Sequence, residues 1–128
     1  MHAPLQRIGE LLQSECLPNT TKALLYAEVE SGMIESALFF QTAPGHVIFR
    51  YLSDPLEDAV YDFWESGGDH VPPGSWRGIE YVLVGAKLQV DFTLAETFNA
   101  KEGALDRRPR VLARQFPDCL VDYSNPGE

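Results

Sequence analysis

Carboxylates are the residue type in this chain whose spacing suggests a chemical task. Asp54, Glu57, Asp58, Asp62, Glu65 and Asp69 fall within sixteen residues that contain no lysine or arginine. Five of them, Asp54, Asp58, Asp62, Glu65 and Asp69, are three or four residues apart and would share one face of a helix. Like charges at that spacing oppose a helix by about 0.2–0.5 kcal/mol per pair, so selection for stability alone would have placed lysines among them. What such a face can do is recognise a basic surface. Tyr61 and Trp64 sit at its border, and aromatic anchors beside charges are what binding hot spots use, while the charges steer encounter. The plain alternatives are a solvated face that aids solubility for the acids and core packing for Trp64.

Catalytic and metal chemistry find little to stand on. His2, His46 and His70 are scattered, and neither an H-x-x-x-H pair nor a Cys/His grouping is present. Asp69-His70 is the one carboxylate–imidazole neighbourhood, and adjacency in sequence is no general acid/base geometry. G-x-S-x-G, P-loop and G-x-G-x-x-G patterns are absent, and Gly67-Gly68 and Gly103 are explained as helix stops and turns. The acidic run lacks the alternating D-x-D-x-D-G order of a calcium loop. The expectation is a protein that is not an enzyme and that uses no cofactor and no metal.

Charge narrows the partner. The net charge is -9 over 128 residues with a pI near 4.7, which opposes direct contact with nucleic-acid phosphate or anionic lipid and favours cationic partners. Residues 1–100 hold 14 acids against 5 bases, whereas residues 101–128 hold 5 of each. Arg107, Arg108, Arg110 and Arg114 would suit nucleic acid in isolation, but beside this excess of acid they are expected to pair with the protein's own carboxylates or a partner's. Cys16 and Cys119 are isolated and read as buried free thiols. Neither an apolar run long enough for a membrane span nor a basic, then apolar, leader is present, so the expected location is the cytoplasm.

The elements that position the acids follow from periodicity. At 45% hydrophobic residues, 14 aromatics included, a chain of this length can build its own core. Leu5, Ile8, Leu11 and Leu12 repeat at helical spacing between Pro4 and Pro18. Over Lys22–Glu30 the period changes to two, with Leu25, Ala27 and Val29 against Tyr26, Glu28 and Glu30, and Ser31-Gly32 turns the chain into a partner strand over 34–41. Ala43-Pro44-Gly45 precedes a third strand over 46–51. Ser53 or Asp54 can then cap a helix with Pro55 in its first turn and Gly67-Gly68 as its stop. Its apolar face is Leu56, Ala59, Val60 and Phe63. Strands Trp76–Val84 and Lys87–Leu94 follow the Pro72-Pro73-Gly74 loop, the second with Leu88, Val90, Phe92 and Leu94 inward. Trp76 and Phe92 are assigned to the core. Residues 104–116 read as a helix broken at Pro109, and 122–128 as a tail.

The expected fold class is therefore α+β: a single layer of about five antiparallel strands in the order helix, three strands, helix, two strands, helix, with the helices packed on one side. One domain spans 1–128, an acidic α+β core over 1–100 and a basic-rich helix and tail over 101–128.

This order, with particular residues, resembles the YezG-like family of bacterial immunity proteins, antitoxins that accompany polymorphic and contact-dependent inhibition toxins exchanged between competing cells. The resemblance rests on the Leu-Leu-Tyr-Ala-Glu-Val run over 24–29, the pair Phe39-Phe40, the acidic helix behind Asp54-Pro55, Pro73-Gly74-Ser75-Trp76, and the strand that opens Lys87-Leu88-Gln89-Val90-Asp91-Phe92. It covers roughly residues 5–94, and the order of the motifs is more specific than any one of them. Arg107-Arg108-Pro109-Arg110 departs from the family's terminal helix. The resemblance implies tight binding of one cognate toxin C-terminal domain and supplies no catalytic residue. The resulting expectation is inhibition of a basic nuclease toxin by an acidic surface made of Asp54, Glu57, Asp58, Asp62, Glu65, Asp69, Tyr61 and Trp64. A homo-oligomeric scaffold or secretion chaperone is the alternative, with a small enzyme behind it, and the oligomeric state stays open.

Overall fold

The computed structural model describes residues 3–68, 70–99 and 101–124. His2, Asp69 and the end of the expected tail, 125–128, lie outside the described residues. The chain runs α1 (Ala3–Glu15), β1 (Lys22–Glu30), β2 (Met33–Ala43), β3 (His46–Arg50), α2 (Asp54–Ser66), β4 (Trp76–Val84), β5 (Lys87–Leu94), α3 (Ala104–Gln115) and β6 (Leu120–Asp122). The α+β reading holds: one open sheet of six strands has the order β5-β4-β1-β2-β3-β6. Every pairing is antiparallel except β3 with β6, which runs parallel through His46↔Leu120 to Ile48↔Asp122.

β1 is central, and the structure buries both of its faces. Ala23, Leu25, Ala27 and Val29 meet α1 and α2 through Ile8, Leu12, Leu56, Val60 and Phe63. Leu24 and Tyr26 lie on the opposite face, in a second cluster with Phe39, Val47, Phe49, Val82 and, from α3, Val111 and the following Phe116. The helices therefore do not share one side: α1 and α2 cover one face and α3 the other. Such a two-sided strand must be apolar almost throughout, and β1 is buried from Ala23 to Val29. Phe39 and Phe40 are neighbours in sequence on opposite faces, so each anchors a different layer, and truncating either to Ala would cost about 3–5 kcal/mol.

Three local expectations change. Helix α3 runs unbroken through Pro109. Pro109 is its sixth residue, so the missing N–H removes a single bond just beyond the first turn, in which the Asp106 and Arg107 N–H groups already bond Gly103 O. Asp106 secures the start by accepting the Gly103 N–H at 3.1 Å. Residues 120–122, partly assigned to the tail, form an edge strand. Leu94, expected inward, is 45% exposed at the end of β5, while Trp76 is buried and Phe92 packs against the core.

Candidate functional site

Helix α2 forms where the capping residues place it. Ser53 Oγ accepts the Leu56 N–H at 3.3 Å, Pro55 occupies the first turn, and Asp54 and Glu57 lie at the positive end of the dipole. At the other end Gly67 takes φ +66, where its N–H bonds Phe63 O at 2.8 Å. A Cβ there would lie 2.5 Å from Val71 O, so the stop requires glycine. Leu56, Val60 and Phe63 go into the core, and this fixes the opposite face outward.

On that outward face Asp54, Asp58, Asp62 and Glu65 are exposed. None of the four forms an ion pair or a side-chain hydrogen bond among the described residues, and Glu57 is tied only to a neutral group, the Ser36 hydroxyl that donates to it at 3.0 Å. Arg7 on α1 lines a cavity of about 320 Å³ together with Asp62 without closing an ion pair. The structure thus brings five of the six acids onto one helix; Asp69 is the residue outside the described set.

The two aromatics sit beside this face, and both are half-buried. The Tyr61 hydroxyl accepts the Gly32 N–H at 2.7 Å, so α2 holds the β1–β2 turn, and the Tyr61 and Trp64 rings are 5.8 Å apart. Trp64 Nε1 donates to Trp76 O at 2.6 Å, which ties it to the first residue of β4. Each aromatic thus gives its polar atom to the fold and leaves only part of its ring for a partner. Neighbours that spacing did not single out complete the surroundings: Gly32, Met33 and Ile34 line a groove of about 240 Å³ with Glu57, Asp58 and Tyr61. Met33 follows a polar turn and is 48% exposed, a placement that no periodicity in the sequence marks.

A second charged region lies on the opposite face of the sheet. Glu28, 8% exposed, receives Arg107 in bidentate fashion, Nε to Oε2 at 2.8 Å and Nη2 to Oε1 at 2.6 Å, and the Tyr26 hydroxyl also donates to it. Arg107 further donates to Asn99 O and Glu102 O. Burial pushes the Glu28 carboxyl up, but the hydrogen bonds from Arg107 and Tyr26, with their charges, more than offset it and hold the group below the usual range. Burial and the Glu28 carboxylate drive the Tyr26 phenol far up, so it stays a donor. Arg110 pairs with Glu102 at 2.6 Å and Arg114 with Glu80 at 2.8 Å. Arg108 lies over Phe39 and Phe49 at 5.8 and 5.5 Å from their centroids. The expectation that the arginines pair with the protein's own acids is met by three of the four, and the fourth stacks.

Among the described residues no three His, Cys, Asp or Glu side chains are grouped as metal ligands, and no helix is long and apolar enough to cross a membrane. Cys16 and Cys119 are free and half-buried, with burial raising the Cys16 thiol. No family model matches the chain, and no curated protein matches it significantly.

Proposed function

We propose that the protein is an immunity protein that binds a cognate bacterial toxin domain, a basic nuclease, through the outward face of α2 and so keeps the toxin from its nucleic-acid substrate. The observation that carries this reading is the absence of any ion pair for Asp54, Asp58, Asp62 and Glu65 among the described residues, in a protein whose α3 arginines are all engaged. A nuclease must present a cationic cleft to phosphate, and a preformed strip of carboxylates can occupy or flank that cleft. The likeness of residues 24–29, Phe39-Phe40 and the Asp54-Pro55 helix to YezG-like immunity proteins supports the same reading. Inhibition is then steric and electrostatic, without a catalytic step, and takes place in the cytoplasm of the producing cell, where direct nucleic-acid or membrane contact by this protein is not required.

The test is affinity capture with the tagged protein, from a strain that carries its native gene neighbourhood, at low and high salt. Recovery of one basic toxin domain, less at high salt, followed by loss of that domain's nuclease activity on adding the protein, is the expected result. Recovery of only the protein itself, together with a multimeric mass by light scattering, would replace this reading with that of a homo-oligomeric scaffold.

A further inference from the structure

Beyond the acids of α2, the end of the β1–β2 hairpin has the properties of an anchor. Met33 is 48% exposed, and it belongs to two cavities at once. On the α2 side is the groove of about 240 Å³ with Glu57, Asp58 and Tyr61; on the α3 side is one of about 270 Å³ with Glu28, Glu30, Glu35 and Glu102 against Arg77 and Arg107. The first contains two carboxylates and no base. In the second, Glu28, Glu30 and Glu102 are paired with Arg107, Arg77 and Arg110, which leaves one carboxylate for a partner: Glu35 is exposed, with no ion pair or side-chain hydrogen bond among the described residues. A flexible thioether therefore projects between two negatively charged grooves.

The support beneath it is fixed. Gly32 takes φ +78 to close the two-residue turn, and its N–H is held by Tyr61 on α2. On the far side Phe98 lies between the Arg77 and Arg107 guanidiniums, 4.4 and 4.1 Å from its ring centroid, which fixes the wall of the second groove. An apolar contact on a rigid mount, ringed by carboxylates, is the composition of an interface hot spot, and methionine adapts its shape to the surface it meets.

We infer that the hairpin end centred on Met33 is the apolar anchor of the partner surface, and that its occupant is a protein surface with an apolar side chain flanked on both sides by lysine or arginine. This deepens the immunity reading and rests on it: the toxin would straddle the hairpin, one basic side chain in each groove, instead of lying along α2 alone.

The probe is an acetylated and amidated Lys-Leu-Lys tripeptide, with Glu-Leu-Glu as control, titrated against the isotope-labelled full chain by amide NMR. Shifts confined to Gly32–Ile34, Glu35 and the Glu57–Tyr61 segment, absent with the control and with apparent affinity lowered about fivefold in Met33→Ala, are expected. Glu35→Gln, an exposed change, should remove the shifts on the α3 side alone. Shifts along Asp54 to Glu65 that bypass residues 32–35 would overturn the anchor and leave the acidic-helix reading standing. Absence of shifts anywhere would overturn the anchor, whereas the immunity reading stands or falls on capture of a toxin domain. Sedimentation as a dimer that Met33→Glu converts to monomer would identify a second copy of this chain as the occupant and overturn the proposal in that way.

Discussion

Helix α3 carries four arginines and helix α2 five acids, yet among the described residues the arginines of α3 find partners and the acids of α2 form no ion pair. Arg107, Arg110 and Arg114 reach Glu28, Glu102 and Glu80, and Arg108 covers two phenylalanine rings. Across the sheet, the α2 carboxylates form no ion pair among the described residues: Glu57 accepts the neutral Ser36 hydroxyl, and Asp62 shares a cavity with Arg7 without pairing to it. Clustered charge of one sign thus has two meanings in one fold. On α3 it attaches a helix to a sheet face through the buried Glu28 and the partly buried Glu80. On α2 the helix is attached by Leu56, Val60 and Phe63, so its charges are free for another use.

The comparison breaks most visibly at Arg107. Arg107→Ala would leave Glu28 buried and unpaired, and removing one partner of such a pair costs about 3–5 kcal/mol, so the denaturation midpoint should fall by an amount comparable to a large core truncation. A change within the range of surface variants would mean that water replaces the guanidinium and that α3 is held by Val111 and Phe116 instead.

Acid sharpens the same contrast. The Glu28 carboxyl is held below its ordinary value of 4.5, so its contribution to stability is fully present above that pH and is lost as pH falls below it toward the folded-state value. Hydrogen-exchange protection, corrected for the intrinsic rate at each pH, should therefore fall first at the α3 amides and the facing part of β1 as the solution is acidified below about pH 4.5. The groups around Glu28 are Tyr26, Arg107 and Arg77, with Glu35 directly across the β1–β2 pairing and Glu30 and Glu102 on the same cavity, and neither guanidinium changes charge in this window. Glu28→Gln should flatten this part of the profile, and a profile identical to that of the wild type would assign the acid sensitivity elsewhere.

How much of this was legible in the sequence depends on where the information lies. The hairpin β1–β2, the pair β4–β5 and α2 with its Ser53 cap are set by residues near one another, and periodicity with turn chemistry located them to within a few residues. The side taken by α3 and the existence of β6 are set by contacts far along the chain. A three-residue parallel edge strand has no period to read, since its pairing with β3 is fixed by where α3 delivers the chain. One signal for the second layer was present: the unbroken apolar runs Ala23-Leu24-Leu25-Tyr26-Ala27 and Ala37-Leu38-Phe39-Phe40 cannot leave one face of a sheet in water. The acidic face of α2 was readable because helix geometry alone aligns it. Met33 and Glu35 were not, because their relation to α2 and α3 exists only after the sheet forms.

The smallest effect on stability should come from α2 itself, and it carries the opposite sign. Replacing Asp58 and Asp62 by Asn relieves like-charge neighbours on an exposed face that makes no ion pair among the described residues, so the protein should be unchanged or slightly more stable, by about 0.2–0.5 kcal/mol for each pair relieved. Association should respond in the other direction. Once a partner is in hand, the double variant should bind with a slower on-rate and a shallower dependence on salt, because long-range steering acts before any contact forms. A stable variant with unchanged association kinetics would make the α2 acids a solubility feature. A destabilised one would mean that these carboxylates hold the fold as the α3 arginines do, and the distinction between the two helices would disappear.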